Sequence, residues 1–279
     1  MARPQTILSK SRKTADVIAI QMVVDISGSM EALDMSTKTA TGMKYKTRLD
    51  AVKEAFAAFV EEREEDLIGL IAFGGYVSTL APMTSDHIAL QHVLDGVETP
   101  KPAFDKNGNV MNEDELLTAI GDALATACAR IEAADPVSKI IVLLSDGESN
   151  TGMIKPDRAI EVAKSLGIKV YSIGVGSSGN APFWATDHFG RKVISRAHVT
   201  LDEVMLRKIA TETDGVYFNV KDEKGLERAL EEINTLETTR VEQNVYRQYR
   251  ELFLSFLSPG LALVLLGLTL NMAITRRLL

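Results

Sequence analysis

The chain has 279 residues, 46% apolar and 25% charged, with ordinary glycine and proline content, which excludes a disordered or fibrous protein. All 38 acidic residues precede Leu252, as do 29 of the 31 basic ones, so the surface ahead of the last apolar segment is acidic and repels nucleic-acid phosphates. A single cysteine, Cys128, excludes an intrachain disulfide and a thiolate metal cluster.

Residues 1–15 are polar and basic and contain no secretory apolar core, so with Met1 as the true start nothing would export the domain. Apolar runs then predict strands at 17–26, 67–73, 140–144, 170–175 and 216–220, with a shorter, antiparallel edge strand at 77–84 after the turn signal "GGY". Helical patterns alternate with them. Leu49, Val52, Phe56, Phe59 and Val60 form one apolar stripe, and 118–132, 155–167 and 200–215 read as further helices, the last capped by Thr200 and stopped at Gly215. Cys128 falls in the helix 118–132 as a small buried residue. The loop 97–117 is long and rich in turn residues, and a second irregular piece, containing Phe183 and Trp184, covers 177–193. Strand and helix in alternation predict an α/β domain, a mostly parallel sheet with helices on both faces.

Beyond Val220 the pattern is helix-rich and reads as a stiff stalk into the next segment. From 252 to 275 there are 24 consecutive uncharged residues, flanked by "RQYRE" and "RRLL". As a helix they would measure roughly 36 Å, enough for a ~30 Å hydrocarbon core. Arg240, Arg247 and Arg250 before the segment balance Arg276 and Arg277 after it, so basic residues do not settle its orientation. The expected organisation is an N-terminal segment 1–15, a domain 16–237, a stalk 238–251, a transmembrane helix 252–275 and a basic tail 276–279.

"VVDISGSM" runs from an apolar strand directly into Asp25, Ser27 and Ser29. "ELLTAIGDAL" puts Thr118 at the head of a helix, and "IIVLLSDGESN" puts Asp146 and Gly147 at the end of another strand. In an open parallel sheet the carboxyl ends of neighbouring strands share one crevice, where these five residues can converge. Two carboxylates and three hydroxyls, without sulfur or imidazole, suit Mg²⁺ or Mn²⁺ in a shell completed by water, with a position left for an outside carboxylate. Glu148 and Asn150 read as loop or cap residues, and Asp122 as a helix-surface charge. His87, His92, His188 and His198 are scattered and predict no zinc site.

D-x-S-x-S at 25–29, Thr118 in T-x-x-G and Asp146 in S-D-G resemble the metal-ion-dependent adhesion site of von Willebrand factor A domains. That resemblance implies a Rossmann-like fold in which Asp25, Ser27 and Ser29 ligate the metal, Thr118 joins or leaves the shell between states, and Asp146, as is often so in the family, acts through water. "ARPQ", "RLDAVKEAFAAFVEEREEDLIGLIAFGGYVSTLAPMTSD", "LLSDGESNTGMIKPDRAIEVAKSLGIKVYSIGVG" and "YRQYRELFLSFL…RRLL" are similar to the bacterial aerotolerance-type membrane proteins called BatA. This implies placement in the bacterial inner membrane and association with a MoxR-type AAA+ ATPase and with sibling von Willebrand-type and tetratricopeptide-repeat proteins. Such proteins usually carry two helices ahead of "ARPQ". If these precede this chain, the domain faces the periplasm; with Met1 as the start it faces the cytoplasm. Further departures are the polar stretch 36–46 and "TDG" at 213–215, where the family tends to show two glycines.

An enzyme fits less well. Phosphoryl transfer would want a second carboxylate at the position of Ser27 or a lysine-bearing phosphate loop, and "SGSM" is not the G-x-S-x-G of a hydrolase. The expected function is therefore non-enzymatic: capture of a partner's Asp or Glu through the metal. A membrane scaffold with a non-essential metal site is the alternative, a metal-dependent hydrolase a more distant one.

Overall fold

The computed structural model describes residues 5–7, 17–39, 42–63, 65–107, 109–134, 138–146, 148–187, 189–242, 249–251, 257–261 and 263–268. The chain divides into two compact units, Asp16–Thr238 and a smaller one made of Met1–Ala15 with Thr239–Leu279. Strand β1 (Gln5–Ile7) opens the chain. The larger unit continues through β2 (Ile18–Asp25), a short hairpin of β3 (Thr37–Thr39) and β4 (Gly42–Lys44), α1 (Arg48–Glu61), β5 (Leu67–Phe73), β6 (Val77–Thr84) and α2 (His87–Asp95). Next come α3 (Ile120–Glu132), β7 (Ser138–Ser145), α4 (Pro156–Ser165), β8 (Lys169–Val175), β9 (Gly179–Thr186), β10 (Lys192–Val199), α5 (Glu203–Glu212), β11 (Tyr217–Val220) and α6 (Glu223–Glu242). In the smaller unit β12 (Tyr249–Glu251) pairs antiparallel with β1.

The main sheet has six strands in the order β11-β8-β7-β2-β5-β6, all parallel except β6. Every residue of β2 is buried, which is why this segment reads as a continuous apolar run rather than an alternating one. Ala19 and Val23 of β2 pack with Ile141 and Leu143 of β7 against Ile120, Leu124 and Ile131 of α3, Ile160 of α4, and Leu206 and Ile209 of α5. Tyr171 of β8 points to the opposite face, where its hydroxyl donates to Glu237 of α6. From β2 the chain builds one half of the sheet through β5 and β6, then crosses to the other side for β7, β8 and β11. The strand order thus reverses between β2 and β7, and a crevice opens at their carboxyl ends.

Each strand expected in the main sheet is present within two residues at either end, including antiparallel β6. Three expectations need correction. The piece 177–193 is largely ordered as the β9–β10 hairpin: Gly179 and Pro182 interrupt its strand pattern, and its turn is made by Asp187, whose carboxylate accepts from the backbone N–H of Phe189 (2.8 Å) and Arg191 (2.9 Å). Thr200 does not cap α5. Asp202 does, accepting from Met205 N at 2.9 Å, and the helix ends before Asp214, whose left-handed φ of 57° stands where glycine is usual and is tolerated because aspartate visits that region at low cost. The stalk is not one helix, since Tyr249–Glu251 within it is extended, its backbone paired with β1. The apolar run 252–275 is helical at 257–261 and 263–268; its other residues lie outside those described, and among the described residues no helix is long and apolar enough to cross a membrane.

Candidate metal centre

Asp25 is the last residue of β2, and register pairs it with Phe73 of β5, while the preceding Val24 pairs with Leu144 of β7. The chain then turns through a single 3₁₀ turn, Gly28–Glu31, which folds Ser27 and Ser29 back over the strand end. Asp25 Oδ1 accepts from Ser27 N at 2.8 Å, and its Oδ2 accepts from Ser145 Oγ at 2.5 Å. The hydroxyls of Ser27 and Ser29 lie 3.0 Å apart. Asp146, the first residue after β7, accepts from Ser29 and, through Oδ2, from Arg48 Nη1 at 3.1 Å.

Thr118 sits at the end of the loop 97–117 and is tied to the loop after Asp146 rather than to β2. Its N–H donates to Asn150 Oδ1 at 2.8 Å, and its carbonyl accepts from Asn150 N and Thr151 N. Asn150 therefore joins two of the three site segments, a role beyond the loop residue expected. Asp122 is likewise more than a surface charge: its carboxylate accepts from Met153 N (2.9 Å) and Ile154 N (2.6 Å), fastening the same loop to α3. That closeness requires Gly121, because a Cβ there would lie 1.9 Å from Ile154 O. Glu148 accepts from Thr200 Oγ1 at 2.6 Å. Gly147 lies outside the described residues.

Asp25, Ser27, Thr118 and Asp146 are all buried, Asp25 completely. Burial, with the Asp146 charge beside it, pushes the Asp25 carboxyl up from 3.8 to about 7. Burial also raises Asp146, opposed by the Ser29 hydrogen bond and by Arg48. The pair is thus a concentration of negative charge that the protein compensates only in part. Hydroxyl and carboxylate oxygens of this kind fit a hard divalent cation. Among the described residues there is no cluster of three or more His, Cys, Asp or Glu able to hold a metal; the oxygens gathered at this strand end are those of two carboxylates and the neighbouring hydroxyls.

Arg48 carries no motif that marks it in the sequence. Its side chain is 1% exposed, with Nε and Nη2 gripping Asp34 (2.9 and 2.5 Å) and Nη1 on Asp146. A capping box between Thr47 and Asp50 fixes the start of α1 and so aims the guanidinium inward. Gly176, at φ +96°, leaves it room, since a Cβ there would lie 2.3 Å from Arg48 Cζ. The available signal was a cation at the first residue of a helix, where the dipole disfavours it. Ser145, adjacent to Asp146 in the sequence, was missed because its contact with Asp25 depends on strand pairing.

Cys128 is buried in α3, and burial drives its thiol up to about 12, consistent with a structural residue. Phe183 packs with Ala32 just beyond the serines, whereas Trp184 is partly exposed with its ring edge-on to Tyr45 at 5.0 Å.

A Rossmann-like α/β domain with an oxygen-donor crevice at the switch point of its sheet is the class defined by these features. The chain belongs to the von Willebrand factor type A domain family, whose family model matches residues 19–234. An uncharacterized protein of Borreliella burgdorferi is 28% identical over 251 residues, covering 90% of this chain and 67% of that one. Among solved structures, an aerotolerance-related membrane protein from Bacteroides fragilis is similar at 29% identity and a TM-score of 0.56, covering 78% of this chain and 97% of that one. BatB from Bacteroides thetaiotaomicron is similar at 25% identity and the same TM-score, covering 78% and 99%. Proximal thread matrix protein 1 from the mussel byssus, solved with a zinc-occupied MIDAS motif, shares the fold at 17% identity and a TM-score of 0.54, covering 79% of this chain and 46% of that one.

Proposed function

We infer that this chain is a membrane-anchored, divalent-metal-dependent binding module that captures a carboxylate of a protein partner. The observation that carries the reading is the pair of buried, incompletely compensated carboxylates, Asp25 and Asp146, joined through the hydroxyls of Ser27 and Ser29 at the open end of the sheet. In this reading Asp25, Ser27 and Ser29 hold Mg²⁺ or Mn²⁺ directly, Asp146 acts through water, and Thr118 enters the shell according to state. When bound, the metal supplies a Lewis-acidic position for the partner's Asp or Glu.

Non-enzymatic action is supported by the surroundings of Ser29, whose hydroxyl is bonded, among the described residues, to Ser27 and Asp146 rather than to a histidine base. The similarity to the aerotolerance-related proteins supports a BatA-like role, accessory to a MoxR-type AAA+ ATPase and its von Willebrand-type and tetratricopeptide-repeat partners in envelope protein assembly or stress tolerance. Inner-membrane anchoring rests on the uncharged run 252–275.

The test is a pull-down from membranes with Mg²⁺, with EDTA, and with Asp25→Ala and Asp146→Ala, alongside Mn²⁺ binding followed by electron paramagnetic resonance. Partner recovery should fall in EDTA and in both variants, and Mn²⁺ should bind wild type at about one ion per chain. Unchanged recovery throughout would leave the scaffold reading in its place.

A further inference from the structure

The β9–β10 ribbon has one bound edge and one free edge. On the β9 side, the carbonyl of Pro182 accepts from Leu33 N at 2.7 Å, and one face of the ribbon, Ala181 and Phe183 of β9 with Val199 at the end of β10, packs on Ala32, so the ribbon is attached to the segment directly after Ser29. On the β10 side, no further strand pairs among the described residues. β10 runs from the ribbon's tip at Lys192 down to Val199, and the next residue, Thr200, holds Glu148 on the Asp146 loop. The free edge therefore ends beside the metal centre.

Strand alternation and the observed register place Trp184 opposite Ile194, Pro182 opposite Arg196 and Thr186 opposite Lys192 on the ribbon face away from Ala32. Trp184 and Ile194 are 42% and 44% exposed. In a chain of formal charge −7, the ribbon carries Arg191, Lys192 and Arg196 against one acid, Asp187. Asp187 is engaged by Arg191 at 2.8 Å, and among the described residues Lys192 and Arg196 form no ion pair. A free edge that needed only to be kept from aggregating would be served by the cations alone, without a tryptophan and an isoleucine displayed between them.

We propose that β10 is a docking edge for an extended acidic segment of the partner, which adds as a third strand and leads toward the metal. Backbone hydrogen bonds supply the pairing, and a side-chain order of acid, apolar, acid at alternate positions matches Lys192, Ile194 and Arg196. A second copy of this chain is a poor occupant, since pairing β10 with itself sets like charges across the strands. The proposal rests on the metal reading only for where the strand leads; the edge itself does not require a metal.

Trp184 is the sole tryptophan, so its emission reports on the ribbon. The test uses the full chain and a blocked peptide, Thr-Glu-Thr-Val-Thr-Glu-Thr, with a counterpart carrying lysine for glutamate, each with Mg²⁺ and with EDTA. The acidic peptide should shift Trp184 emission and slow amide exchange within 192–199 by about tenfold or more in both conditions. Lys192→Glu with Arg196→Glu, neither among the residues proposed to hold the metal, should weaken that response about tenfold while leaving Mn²⁺ binding intact. An equal response to the lysine peptide, no slowing of exchange, or slowing that follows protein concentration without peptide (pairing between copies) would each overturn the proposal. Asp25→Ala separates the two ideas: protection of β10 by the acidic peptide should be retained in that variant, and its loss would overturn an edge that binds without metal. If wild type fails to bind Mn²⁺, the metal reading fails and the docking edge stands.

Discussion

Replacing Asp25 by asparagine removes one of two adjacent buried charges while keeping the shape of the group. Its carbonyl oxygen can still accept from Ser27 N, while its amide reverses the bond with Ser145, donating to an Oγ that now donates to Asp25, which returns part of the gain. The rise of the Asp25 carboxyl from 3.8 to about 7 corresponds to about 4 kcal/mol of folded-state penalty for the ionised form. Because Asp146 shares the repulsion, about 2–3 kcal/mol is the net expectation, or roughly 5–10 °C in Tm for a domain of this size. The sign is set by proton binding. With the folded pKa above the unfolded one, the folded state holds the extra proton between about pH 4 and 7, so metal-free wild type loses stability as pH rises through that window. In EDTA, Asp25→Asn should therefore melt above wild type at pH 8 and close to it at pH 4. Mg²⁺ should raise the wild-type Tm at pH 8 and leave the variant unmoved. Differential scanning calorimetry across pH, with and without metal, measures all four corners. An Asp25→Asn variant less stable than wild type in EDTA at pH 8 would refute the premise that the crevice holds uncompensated negative charge.

Arg48→Met should destabilise the metal-free domain by about 3–5 kcal/mol, because Asp34 and Asp146 lose a buried partner, with partial recovery in Mg²⁺; denaturant melts with and without EDTA read both effects. Glu237→Gln should cost about 1–3 kcal/mol independently of metal, since Glu237 is buried against Lys169, Tyr171 and Ser138 far from the crevice, and the same melts would show equal losses in EDTA and Mg²⁺. Cys128 should resist a thiol reagent at pH 8 in the folded protein and react fully in denaturant; rapid native labelling would contradict its burial. A cysteine placed on an exposed loop could then report the side of the membrane with Cys128 still present.

The architecture and the local half of the site were legible because their signals are short-range. A buried parallel strand is apolar throughout, and Asp25, Ser27 and Ser29 lie within five residues, so side-chain chemistry and spacing already define an oxygen cluster at a strand end. The surroundings of that cluster were decided by tertiary structure. The order of strands brings Ser145 to Asp25, α1 delivers Arg48 to Asp146, and Asn150 and Asp122 become ties between loops only once α3 and β7 lie side by side. The ribbon 179–199 was hidden for the same reason. Its strands are interrupted by glycine and proline, and their ladder, their packing on Ala32 and the exposure of Trp184 come from partners that no local periodicity encodes. Sequence neighbours thus determine which atoms can bind a cation; chain crossings determine how deeply those atoms are buried and which charges oppose them.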